Sequence, residues 1–130
     1  MADPAPYAYA VLRLVPHVER GECVNAGIVL HSRPRRYLGI RTGLDEARAL
    51  ALDPALDLEA VRRCLRALEL IAAGDPAGGR IAALPAQERF GWLTAPASTI
   101  IQPGPIHGGR GDDPAVALDA LFARLVLPPR

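Results

Sequence analysis

Two polar residues set inside apolar runs are the first candidates for chemistry in this sequence. Arg13 and Asn25 belong to alternating stretches that flank Pro16–Glu22, where four of seven residues, His17, Glu19, Arg20 and Glu22, can carry charge. A guanidinium binds a carboxylate or phosphate through paired N–H donors. A histidine beside carboxylates can move protons. Further along stand Arg41, then Arg89 in Glu88-Arg89-Phe90-Gly91-Trp92, then Gln102 and His107 in Gln102-Pro-Gly-Pro-Ile-His107-Gly-Gly-Arg110. Arg13, Glu22, Asn25, Arg41, Arg89, Gln102 and His107 form the candidate set for holding a ligand or a partner.

Strands must position the first of these. Tyr7–Val15 alternates, with Ala8, Ala10, Leu12 and Leu14 on one face and Tyr7, Tyr9, Val11, Arg13 and Val15 on the other. Cys23–His31 alternates too, with Val24, Ala26, Ile28 and Leu30 opposed to Cys23, Asn25, Gly27, Val29 and His31. Arg33-Pro34-Arg35 is a turn, and Arg36–Arg41 is a third strand with Leu38 and Ile40 opposed to Tyr37, Gly39 and Arg41. If the aliphatic faces point one way, the other face collects Arg13, Asn25, Gly27, Gly39 and Arg41. That face is a shallow trough with arginines at its rim. Glu19 or Glu22 is expected to pair with Arg13, Arg41 or Arg89.

Helices follow. Asp45–Ala51 is short. A longer helix starts from Asp53-Pro54 or from Asp57, carries the stripe Leu58, Val61, Leu65, Leu68 and Ala72, and stops at Gly74. Its stripe is expected to cover Leu12, Ile28 and Ile40. Asp75–Gly79 is a loop. Ser98–Gln102 is a fourth strand. Pro103–Asp112 is rich in proline and glycine and is expected to be the mobile loop, able to bring His107 and Arg110 over the trough. Asp113-Pro114 starts a last helix with the stripe Leu118, Leu121, Phe122 and Leu125, ended by Pro128. Trp92 and Phe90 read as core anchors. An antiparallel meander followed by segregated helices is an α+β arrangement. It would be a two-layer sandwich of about four strands and two or three helices, over residues 1–130 as one domain.

Composition narrows the functions. Half the residues are hydrophobic and 22% are charged, so a packed core is expected. A net charge of +1 argues against a nucleic-acid binder. All fifteen basic residues are arginine, which goes with the abundance of Ala, Gly and Pro and is a compositional bias. Cys23 and Cys64 lack metal-ligand spacing, and His17, His107 and Asp112 are too scattered for a metal set. Neither metal nor cofactor is expected. No Gly-Lys-Ser/Thr accompanies the glycines, and Asp112 and Asp113 would repel a phosphate at the last helix. Arg110-Gly111-Asp112 would mean adhesion only outside the cell. No opening leader is visible, and no apolar run nears the ~20 residues that cross a bilayer, so the expected location is the cytoplasm.

The chain resembles the uncharacterised bacterial family called domain of unknown function 3037. The resemblance rests on Tyr9-Ala-Val-Leu-Arg13-Leu-Val-Pro16, on Arg20-Gly-Glu22-Cys-Val-Asn25-Ala-Gly27-Ile-Val-Leu30, and on Arg89-Phe90-Gly-Trp92-Leu-Thr-Ala-Pro96-Ala-Ser98-Thr-Ile-Ile-Gln102-Pro103. Arg13, Glu22, Asn25, Arg89 and Gln102 fall within those segments. The family carries no established activity. It implies a HipA-like serine/threonine kinase protein as partner, because members are often encoded beside one. Cys23 stands where a large apolar residue is expected, which implies packing there.

Two functions follow as expectations. The first is a non-catalytic accessory module that binds a partner, or an anionic group or peptide, on the arginine-lined face. The alternative is a small enzyme acting on a phosphorylated or nucleotide substrate. There Arg13, Arg41 and Arg89 would hold the anion while Glu22 or His107 moved a proton. Convergence of these groups in one concavity would favour the enzyme.

Overall fold

The computed structural model describes residues 3–129. Its strands are β1 (Ala5–Leu14), β2 (Val24–Ser32), β3 (Tyr37–Thr42), β4 (Ile101–Pro103) and β5 (His107–Gly111). Its helices are α1 (Glu46–Leu52), α2 (Leu58–Ala73), α3 (Ala86–Leu93) and α4 (Pro114–Leu125). All strand pairs are antiparallel. The order is β3-β2-β1-β4, with β5 also on β1. The fold is α+β: an open antiparallel sheet of five strands with four helices.

Helix starts follow local chemistry. Asp57 Oδ1 accepts from the Ala60 N–H at 3.1 Å, so Asp57 rather than Asp53 caps α2. Asp113 does the same for α4 through the Ala115 N–H at 2.9 Å, ahead of Pro114. Gly74 ends α2 in the left-handed region at φ 70°, where a side chain would be strained. The loop after it contains a short 3-10 turn, Pro76–Gly78.

The sheet departs from simple alternation at one point. Leu12 lies opposite Gly27, yet Arg13 lies opposite Asn25, so Ala26 is an extra residue in β2. Such a bulge reverses the facing of everything beyond it. Ala26 therefore packs with Leu12 and Leu14, while Ile28 and Leu30 pack on the other side of the sheet. The expected burial of Ile28 beneath the stripe of α2 is thereby corrected; Val29 takes that side with Ala10. Leu12, Ile40, Val61, Leu65 and Leu68 do share one core, joined by Phe90 and Leu93 of α3.

Ile28 and Leu30 meet Leu118, Leu121, Phe122 and Val126 in a second core. Helix α4 thus lies on the opposite face of the sheet, over β2 and β3, and helices cover both faces. Helix α3 was invisible in the sequence pattern. It has eight residues and only Phe90 and Leu93 buried, too short a stripe to declare a period. The fourth strand is three residues long and ends at Pro103 rather than starting at Ser98.

The segment expected to be the mobile loop is instead largely a strand. Residues 107–111 pair along β1 from Tyr9↔His107 to Ala5↔Gly111. Glycine serves packing here: a Cβ at Gly109 would collide with the Tyr7 ring, which lies over it.

Candidate functional site

The sheet sets three candidate side chains abreast. Arg13 on β1 lies opposite Asn25 on β2 and opposite Gln102 on β4, and cross-strand partners share a face. Asn25 is engaged: its Nδ2 donates to the carbonyl of Leu125 at 2.9 Å, at the end of α4. Gln102 donates Nε2 to the Thr99 carbonyl at 3.0 Å.

Arg13 differs from both. It is half-buried, and among the described residues it makes neither an ion pair nor a hydrogen bond. Its guanidinium rests over Gly104, where a Cβ would come within 2.9 Å of Arg13 Cζ. Gly104 in turn donates its N–H to the Val11 carbonyl at 2.7 Å. The Arg13 side chain therefore runs back along the strand to the level of Val11. The next pair on this face is Tyr9 and His107, whose ring centroids stand 5.4 Å apart. His107 is exposed. This half of the face, beyond α4, carries a cation with all its donors unspent, beside two aromatic rings.

The remaining candidates lie elsewhere. Arg41 is on β3, beneath α4; it pairs with Asp119 at 3.0 Å and stacks over the Phe122 ring at 4.5 Å. Helix α4 thus fills the part of the trough expected around Arg41. Gly39 there is occupied by the Tyr37 ring, and Gly27 lies on the far face against Leu12. Arg89 is in α3 on the α2 side of the sheet. It donates Nε to the Leu84 carbonyl at 2.8 Å, and Nη1 to the carbonyls of Ile71 at 3.1 Å and Ala72 at 2.6 Å. It closes the last turn of α2, whose carbonyls have no partner within the helix.

Glu22 pairs with Arg20 at 2.6 Å in the exposed loop, and Glu19 has no ion pair among the described residues. The expected partnership of either with Arg13, Arg41 or Arg89 is corrected: β2 begins at Val24 and the loop turns away to satisfy itself. His17 stands 3.4 Å from Asp53, away from the other loop charges. Among the described residues no three of His, Cys, Asp and Glu are grouped to hold a metal. Cys23 and Cys64 are free thiols, and Cys23, expected to pack, is exposed.

Burial pushes the His31 imidazole below its ordinary pKa, with Arg33 and Arg89 adding to the effect. The bulge has put His31 on the α3 face, 5.3 Å from the Phe90 ring, rather than beside Asn25.

One feature escaped the sequence reading. Trp92 is 47% exposed, so it is no core anchor. It walls an apolar cleft of about 280 Å³ with Leu12, Leu68, Leu93, Thr99 and Pro103. The small residues Ala95, Pro96 and Ala97 that follow Trp92 were the available signal, since they leave the cleft open. The cleft has no titratable lining and is mainly apolar.

In comparisons with known proteins, the model of the family described as "Protein of unknown function (DUF3037)" matches residues 9–126. Those residues include the Arg13 row, Gly104 and His107. No curated protein and no solved structure matches.

Proposed function

The chain belongs to the DUF3037 family, and we propose that it is a non-catalytic, cytoplasmic accessory module that binds a protein partner through an anionic group seated on Arg13. The observation that carries this reading is the Arg13 guanidinium, held over Gly104 with no carboxylate within ion-pair distance among the described residues. A half-buried guanidinium with unspent donors is built for a carboxylate or phosphate. Binding is favoured over proton transfer because His107, which shares the Arg13 face, has no carboxylate within ion-pair distance among the described residues, and the other groups an enzyme would need are spent apart. Glu22 is held by Arg20, Arg89 by the end of α2, and Arg41 by Asp119. The partner to try first is the HipA-like kinase protein that the family resemblance implies.

Titration calorimetry of the purified chain with that kinase protein tests the reading. Arg13→Gln is expected to weaken binding at least tenfold, while Cys64→Ser, on exposed helix surface, leaves it unchanged. Absence of binding, or equal binding by Arg13→Gln, rejects it.

A further inference from the structure

We propose that the outer edge of β5 takes an extended acidic segment of a partner polypeptide as an added strand. This deepens the reading of Arg13 as an anion seat and rests on it for that contact, although the edge itself is argued independently.

The edge is open in its backbone. β5 pairs with β1 alone, and among the described residues none of its backbone groups bonds to another element. Alternate residues of an edge strand turn N–H and C=O outward, a template for another strand. Proteins ordinarily blunt such edges with charged side chains, prolines or bulges. Here the prolines, Pro103 and Pro105, lie before β5, and the strand itself reads His-Gly-Gly-Arg-Gly. Three of the five residues of β5 are glycine and add no side chain beside that edge. Peptide docking on a sheet edge takes its affinity from such main-chain bonds and its selectivity from the side chains alongside.

Charge selects the occupant. Arg110 lies on β5, Arg13 lies beside the approach to it and Arg35 reaches its far end, and none has a carboxylate within ion-pair distance among the described residues. Arg110 donates to the Pro4 carbonyl at 3.1 Å. Arg35 donates to the carbonyls of Asp3 at 2.8 Å and Asp112 at 3.3 Å. Arg13 lies over Gly104 between β4 and β5. The acids at this end, Asp3, Asp112 and Asp113, lie beyond the paired strand, and Asp113 is committed to capping α4. Alongside the strand itself, from Gly104 to Arg110, the charged groups are Arg13 and Arg110, so an acidic segment laid there is favoured over a basic one. The opposite edge, β3, offers less: its arginine, Arg41, is already paired with Asp119.

The test uses the full chain and a labelled ten-residue peptide of alternating Glu and Val. Companion peptides carry Lys for Glu, or N-methyl groups on the amides of one edge or the other. The Glu peptide is expected to bind and to slow hydrogen exchange at 107–111. N-methylation of one edge should lower affinity at least tenfold and of the other leave it unchanged; the Lys peptide should not bind. Arg110→Gln should weaken binding severalfold. Equal binding by both methylated peptides, protection outside 107–111, or no binding at millimolar peptide overturns the proposal. So does a dimer of the chain protecting the same amides without peptide. If strand addition fails while Arg13→Gln still abolishes kinase binding, this inference falls and the proposed function stands. If strand addition occurs and is indifferent to Arg13→Gln, the edge stands and the Arg13 seat falls.

Discussion

Asn25 and Leu125, a hundred positions apart, are joined by a single hydrogen bond of 2.9 Å from the side-chain amide to the helix-end carbonyl. It fixes the last turn of α4 against β2, beside the Arg13 row. Truncating Asn25→Ala leaves that carbonyl short of a donor. The expected cost is about 1–3 kcal/mol, read from urea unfolding. Asn25→Asp should cost at least as much, because a carboxylate then faces a carbonyl at the negative end of a helix. No loss in either variant would mean that α4 is held by its apolar stripe alone.

Arg89 is expected to behave as a structural cap. Its guanidinium serves three carbonyls, two of them in the last turn of α2. Hydrogen bonds to charged groups contribute about 1.5–3 kcal/mol each, and they are not additive. Arg89→Met should therefore lower stability by about 2–4 kcal/mol while leaving binding of the proposed partner by the folded protein unchanged. A variant that folds normally and binds poorly would return Arg89 to the functional set.

The bulge at Ala26 divides the core, and paired truncations report it. Leu12 and Ile28 are both fully buried, yet they belong to different layers. Leu12→Ala and Ile28→Ala should each cost about 2–5 kcal/mol. Hydrogen exchange should then separate them. Ile28→Ala loosens α4, whereas Leu12→Ala loosens α2 and α3. The same elements loosening in both variants would place both residues in one layer and contradict the bulge.

His31 makes stability depend on pH. Its pKa is lowered in the folded chain by burial first, then by Arg33 and Arg89. The unfolded chain, with an ordinary imidazole near pH ~6.5, takes up the proton first as pH falls. The contribution of neutral His31 is thus present above that value and is lost as pH falls through the lowered folded value. His31→Gln should lose less melting temperature than the wild type between pH 7.5 and pH 5. An identical or larger loss in the variant would show that the ring is not held neutral against Phe90.

The sequence by itself determined the elements whose causes are local. Alternation placed β1, β2 and β3 within a residue or two, because a half-buried strand repeats every second residue. Asp113-Pro114 and Gly74 marked helix ends because capping needs only near neighbours. The α+β class followed from the order of those elements, and the family from the segments around Arg13, Asn25 and Gln102. The row of Arg13, Asn25 and Gln102 was legible in part, since strand alternation put the first two on one face. What the tertiary structure alone decided was non-local. A bulge at Ala26 exists only as a mismatch between two paired strands, and it sent Ile28 and Leu30 to α4 and His31 to α3. Glycines 108, 109 and 111 read as loop because they carry no pattern, and β1 with its Tyr7 ring supplies what makes them a strand. The partners of Arg41 and Arg89 are a helix seventy-eight residues away and a helix end. No spacing along the chain encodes those meetings, because packing brings them together only after both faces of the sheet have been covered.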